Sequence, residues 1–298
     1  MSRRSLRLPF ALDLRRSLQP LRMGKHDPTI RLTSTTVLRA SRTPAGPVTF
    51  QAEHLGDRVE VEAWGPGASW ALEHAPATLG TLDDRAGFDP THPLVRQLHR
   101  DGDGLRLPST GLVLEALIPA LLSQRVTGFE AKRSFRQLVE RWGEPAPGPG
   151  GLLLAPEPRV LATLGYYELH VVGVEKRRAD ALKRVCAHAT RLEGFASLRG
   201  PALRAHLESL PGIGAWTSAE VARVVVGDAD AVSVGDFHLK NLIARALGGE
   251  PRGTDERMLE LLEPFAGHRG RVCLLIESAG ISPSRYGPRH PIESLTRR

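Results

Sequence analysis

Residues 210–241 read LPGIGAWTSAEVARVVVGDADAVSVGDFHLKN. The run LRAHLESL, residues 203–210, carries apolar residues at helical spacing, and Pro211 ends it, because a proline lacks the N–H that would continue a helix. Gly212 and Gly214 are expected to supply the positive backbone dihedrals of a tight turn, and a new helix is predicted from about Ala215. The hairpin spans residues 207–219. Without side chains, the two glycines let the free N–H groups at the start of the second helix approach an anion, and the helix dipole favours negative charge there. Gly212, Ile213 and Gly214 are therefore candidate contacts to a phosphate backbone. The same turn would serve equally well as a plain link between two packed helices.

Asp236 weights the choice. The sequence VSVGDFHLKNLIARAL places this acid just before an apolar-periodic helix, where a carboxylate accepts hydrogen bonds from free N–H groups. Alone it reads as a helix cap. Twenty-two residues beyond Gly214, it reads as an acid facing the sugar beside a gripped phosphate.

The same periodicity, followed outward, divides the chain. Before about residue 85, IRLTSTTVLRA, GPVTFQAEHLG and RVEVEAWG alternate β-branched and polar residues between Gly and Pro turns, the pattern of an antiparallel sheet. LRLPFALDL near the start is read as a further alternating strand. After it, residues 112–124, 129–142, 175–192, 201–209, 215–226, 237–247 and 255–265 each carry a helical apolar stripe. GEPAPGPGG, residues 143–151, is a loop between helices. The expected fold class is α+β, with an N-terminal antiparallel sheet domain over 1–85 and an all-α bundle over 86–298.

Composition excludes several alternatives. The 298 residues are 41% hydrophobic and 24% charged, ordinary for a globular protein. No window is apolar enough to span a membrane, and Arg7, Pro9 and Asp13 interrupt the one N-terminal apolar stretch, so no membrane partner and a cytoplasmic, bacterial-type location are expected. Two cysteines, Cys186 and Cys273, cannot make a four-cysteine zinc or iron–sulfur site, and two buried apolar thiols are predicted. The scattered histidines form no HExxH or His-x-Glu arrangement, and no GxSxG is present. The net charge of +7 resides in the two ends, the interior being slightly acidic, so charge alone argues only modestly for nucleic acid. The Arg-rich, acid-poor stretch Arg3–Lys25 also has the composition of a transit peptide.

LPGIGAWTSAE (210–220), the Gly214–Asp236 spacing, DFHLK (236–240), ALIPALLSQRVT (116–127) and GVEKRRADAL (173–182) together resemble the helix-hairpin-helix DNA glycosylases. The resemblance is strongest to the AlkA-type 3-methyladenine glycosylase II branch, which also carries a strand-rich N-terminal third. It implies a reaction on double-stranded DNA containing damaged bases, in which a flipped nucleotide loses its base by N-glycosidic cleavage. Asp236 would stabilise the positive charge that develops on the sugar. Trp216 occupies the position that is Lys in the family's glycosylase-lyases, which implies a monofunctional enzyme acting through water. Trp216 and Phe237 are candidate stacking surfaces for a base, with core packing as the alternative. Glu220 and Ser278 fall where the branch has large aromatic rings, so the pocket is expected to be more polar. Glu220 reads equally as a base contact or a solvated helix residue. Arg125 stands at the branch's apolar wedge position, with Gln124 beside it, and both read otherwise as ordinary surface residues. The family also holds a monovalent sodium or potassium ion on hairpin carbonyls, here those of Leu210 and Gly212, with no other cofactor. A monomer is expected. The resemblance leaves one further reading, a DNA-binding or damage-sensing protein without catalysis, that an altered pocket would favour.

Overall fold

A computed structural model describes residues 1–281. The chain begins with β1 (Ser2–Arg7) and a short α1 (Leu14–Leu18), then β2 (Ile30–Leu32), β3 (Thr36–Thr43), β4 (Gly46–His54) and β5 (Arg58–Trp64). These five strands form one antiparallel sheet in the order β1-β5-β4-β3-β2. Alternation decides its inner face: Val59, Val61 and Ala63 of β5 are buried with Val48, Phe50 and Ala52 of β4, as the two-residue period of a half-buried strand requires. LRLPFALDL is only partly strand. β1 stops at Arg7 because Pro9 cannot donate to the ladder, and Leu12 and Leu14 instead pack under the sheet with Leu18.

The Arg-rich N-terminal stretch is built into this layer. Arg3 pairs with Glu62 across the sheet, and Arg4 donates to the Leu72 carbonyl at 2.9 Å. The other basic end, residues 285–298, lies outside the described residues.

The helices follow: α2 (Ala68–Thr78), α3 (Pro93–Asp101), α4 (Val113–Leu122), α5 (Gly128–Trp142), α6 (Pro158–Thr163), α7 (Tyr166–Val171) and α8 (Lys176–Ala187). They continue with α9 (Ala189–Glu193), α10 (Gly200–Glu208), α11 (Ala215–Val225), α12 (Leu239–Gly248), α13 (Asp255–Leu262) and α14 (Arg269–Ser278). Between α5 and α6 the expected Pro/Gly loop carries a two-residue ladder, Glu144–Pro145 against Leu153–Leu154. The predicted helix over 175–192 is broken at His188 into α8 and α9. Six helices, α1, α2, α3, α6, α7 and α14, were not predicted. One of them, α2, falls inside the strand-rich part, where its alanines pack on the sheet; its weak apolar stripe gives little periodic signal.

Two further cores sit beside that of the sheet. One gathers α4, α5, α8, α10 and α11; the other gathers α3, α12, α13 and α14. The central helix α4 is fixed at its start by Glu193, which accepts from the Val113 and Leu114 amides at 2.9 Å each. Burial pushes the Glu193 carboxyl up, against the pull of those two amides. Glu115 on the same helix joins bundle to sheet: it pairs with Arg39 at 2.6 Å and accepts from the Ser41 hydroxyl and the Arg42 amide. Both side chains of the pair are largely buried, 13% and 15% exposed. Breaking such a pair strands a charge at a cost of about 3–5 kcal/mol. Among the described residues no helix is long and apolar enough to cross a membrane, and no group of three or more metal-ligating side chains occurs.

Candidate active site

The hairpin forms where it was predicted, between α10 and α11, but its two glycines do different work. Gly212 has φ +93, and a Cβ there would stand 3.1 Å from that of Ala181; this glycine is demanded by the turn. Gly214 has φ −114 and ψ −177, an extended conformation open to any residue. A Cβ at Gly214 would meet no atom within 4 Å. The expectation of two positive dihedrals is therefore corrected to one, and the bareness at Gly214 clears space on the outside of the fold. It lies at the N-cap of α11 with no side chain capping that helix, so the first N–H groups of α11 face that space. Ile213 points the other way, 5% exposed, and anchors the turn in the core.

Neighbouring side chains lock the turn. The Gln124 amide, from the end of α4, donates to the Gly212 carbonyl at 3.0 Å and to the Thr217 hydroxyl at 2.9 Å. Arg184 of α8 donates to the Pro211 carbonyl at 2.9 Å. Gln124 is thus a brace for the hairpin. Arg125, next to it, is exposed and has φ +55, the sole left-handed non-glycine among the described residues. A long side chain held in that conformation stores strain of about 1–3 kcal/mol.

Asp236 meets the hairpin directly. Its Oδ2 accepts from the Trp216 indole Nε1 at 3.0 Å, and its Oδ1 accepts from the His238 and Leu239 amides at 2.7 and 2.8 Å. The carboxylate is therefore the cap of α12, as the first sequence reading had it, and also the partner of the residue just past the hairpin. The loop that carries it is pinned at its base. Asp230 binds the Arg269 side chain at 2.5 Å and the Gly267 amide at 2.9 Å. Burial raises the Asp230 carboxyl, but the Arg269 bonds outweigh it and hold it below the usual carboxylate range.

Beside this pair opens a cleft of about 650 Å³, its mouth included, between α4 and α11, floored by the N-terminal segment. Trp216 lines it together with Glu220, Arg223, Glu115 and Arg39. Of the two residues from which a polar pocket was expected, Glu220 lines this cleft and Ser278 does not, and the charges in it are paired. Glu220 accepts from Arg223 at 2.8 Å and from the Ser233 hydroxyl at 2.5 Å, and Arg223 also reaches Glu277 at 3.5 Å. Burial of the Glu277 carboxyl pushes it up; Arg223 opposes this, and the Glu220 and Asp236 carboxylates reinforce it.

Other predicted site residues lie elsewhere. Ser278 ends α14, does not line the cleft, and gives its carbonyl to Arg16 at 3.5 Å; the α14 side chain bonded to the cleft's charges is its neighbour Glu277. Phe237 is 74% exposed, edge-on to the His238 ring, and outside the cleft. Lys240, one helical turn beyond Asp236, pairs with Asp255 at 3.2 Å. The cysteines are free and buried, and burial pushes the Cys186 thiol up to about 12. Sequence reading missed Arg39, Glu115, Arg223 and Glu277. The first lies on a strand nearly eighty residues from its partner, and no local pattern joins them. For Arg223, the three-residue step from Glu220 along one helix face was a legible signal.

The site thus joins a bare hairpin, whose second helix presents Trp216 to the capping Asp236, to the cleft that Trp216 lines. The chain belongs to the HhH-GPD superfamily of base excision DNA repair proteins, whose family model matches residues 118–266, half of the chain. It is 30% identical over 164 residues to a probable bifunctional transcriptional activator/DNA repair enzyme AlkA of Mycobacterium tuberculosis, an alignment covering 54% of this chain and 32% of that protein. The chain thus spans about a third of the length of the curated relatives it matches. Its structure is similar to a 3-methyladenine DNA glycosylase from Archaeoglobus fulgidus, with a TM-score of 0.75 over 95% of this chain and all of that one, at 18% identity. It is also similar to a Clostridium acetobutylicum 8-oxoguanine glycosylase/lyase in complex with double-stranded DNA, with a TM-score of 0.59 at 15% identity over 85% and 98% of the two chains. At these identities the likeness is one of fold.

Proposed function

We propose that this protein is a monofunctional DNA glycosylase that hydrolyses the N-glycosidic bond of alkylated or otherwise damaged purines in double-stranded DNA. The observation that carries the reading is the Asp236 carboxylate held 3.0 Å from the Nε1 of Trp216, whose ring lines a cleft large enough for a flipped base. The free N–H groups of α11 grip a phosphate, Arg125 fills the gap left in the duplex through its planar guanidinium, and the damaged base enters the cleft against Trp216. As the base departs with the bonding electrons, positive charge develops on the sugar. Asp236 stabilises that charge and orients the attacking water, whose proton it accepts. Lys240 is bound to Asp255, which supports a mechanism without an amine nucleophile.

Each of the Leu210 and Gly212 carbonyls already accepts one hydrogen bond, from Ile213 and Gln124. Each retains a second lone pair, so this oxygen donor set fits a hard monovalent cation, which would hold the turn rigid and screen the phosphate. The protein acts as a monomer in the cytoplasm on this reading. The charge-lined cleft favours one competing reading, a damage sensor that binds DNA without cutting the glycosidic bond.

One experiment separates the two. Duplex DNA carrying methylated purines is incubated with excess protein, released bases are measured by mass spectrometry, and the reaction is repeated with borohydride. Free base, an intact abasic strand and no trapped protein–DNA adduct are expected. Asp236→Asn should lower the rate by about 10²–10³, the size of losing one preorganised electrostatic contact. Binding without release of any base identifies a sensor, and a trapped adduct identifies a lyase.

A further inference from the structure

A second cleft, sharing no lining residue with the first, lies where the connection after α2, α3, the stretch after it and α14 meet. It encloses about 240 Å³ with its mouth, and Arg85, Arg106, Arg271 and His99 contribute its polar lining. Arg271 is spoken for: it is 4% exposed and makes a two-point bridge to Asp83, at 3.0 and 2.5 Å. Arg85 pairs with Asp103 at 3.1 Å and reaches the His99 ring at 3.0 Å. Arg106 has no such partner. It is 6% exposed, and its Nε and Nη1 are buried with no hydrogen bond; its guanidinium lies over the Phe10 ring at 4.3 Å.

The charges do not all pair in contact. Around the three guanidiniums lie the carboxylates of Asp83, Asp84 and Asp103, and of these Asp83 binds Arg271 and Asp103 binds Arg85. The two imidazoles beside them, His99 and His268, are held towards the neutral form by burial and by the adjacent arginines. The Arg106 guanidinium is left with no carboxylate in contact. A buried charge without a contacting partner is strongly disfavoured, and a ring face offsets only part of that cost. A water molecule accepts the N–H groups but neutralises nothing.

We propose that this cleft binds a small monovalent anion of halide size, held by the unpaired N–H groups of Arg106 and by the Arg85 and Arg271 guanidiniums. The lining side chains are largely buried and the space is small, so a DNA phosphate cannot reach it. Its occupant is a free ion. The three arginines come from the connection after α2, the stretch after α3 and α14, so the anion ties three separate segments together.

The test uses the whole protein in sodium gluconate, whose anion is too large for the cleft, titrated with sodium bromide at constant ionic strength. Binding to the folded state alone predicts that Tm rises by roughly 2–4 °C for each tenfold increase in bromide above its Kd. Arg106→Gln should abolish that rise. Crystals grown in bromide should show an anomalous peak bounded by Arg85, Arg106 and Arg271, a result independent of whether the variant folds. Water or empty density in the cleft, with Tm indifferent to bromide, overturns the proposal.

Discussion

At Asp236 one side chain serves two purposes, and the geometry divides them between its oxygens. Oδ1 is consumed by the two α12 amides, whereas Oδ2 has a single partner, the Trp216 indole. Trp216 is therefore a positioning residue as well as a wall of the cleft. Trp216→Phe keeps the ring and removes the donor, and a hydrogen bond to a charged group is worth about 1.5–3 kcal/mol. Base release should slow by roughly 10–100-fold under single-turnover conditions, with DNA affinity unchanged. An equal loss of affinity would show that the indole acts by holding the fold together. The identity of Trp216 was legible because it directly follows the hairpin. Its bond to Asp236 was not, since twenty residues of loop and helix must close before the two atoms meet.

Among the elements, α11 is the one whose beginning matters more than its body. Its apolar face is ordinary, but its uncapped start opens onto space that the bare Gly214 keeps clear. Gly214→Val puts a side chain into that space at an N-cap cost of only about 1 kcal/mol, so the variant should fold. Its affinity should fall about tenfold or more on every duplex alike, with no change in which base is released, because phosphate contacts carry no sequence information. Fluorescence anisotropy on damaged and undamaged duplexes measures it, and unchanged affinity in a folded variant removes the clamp. Gly212→Ala makes the contrast: at φ +93 it should lower stability itself. At this scale most helices were legible from their apolar stripes. α2, which escaped, carries alanines and a proline whose role is set by the sheet it lies on.

Over the whole molecule, charged seams join the layers. Arg39–Glu115 ties sheet to bundle, and Arg271–Asp83 ties α14 to the connection after α2. His99 and His268, beside the second seam, have folded-state values held below 6.5 by burial and by neighbouring arginines. The unfolded chain takes up these protons first as pH falls through about 6.5, so stability should decline as the pH is lowered further. Tm measured against pH in gluconate should show the decline, and His99→Gln, which still accepts from Arg85, should flatten it. A variant with the same slope as the parent would place the titration elsewhere.

The sequence alone determined the division into a strand-rich and a helical part, the position of the hairpin, and Asp236 as the acid in register with it. These follow from local rules: apolar period, proline and glycine as terminators, and the preference of a carboxylate for a helix start. Only the tertiary structure decided that one of the two glycines is needed by the turn and the other by empty space. It also decided that Ser278 and Phe237 stand clear of the cleft while Arg39, Glu115 and Arg223 line it. The reason is that a cleft is made where surfaces from distant segments fail to close, and no period or spacing within one segment records which others it will face.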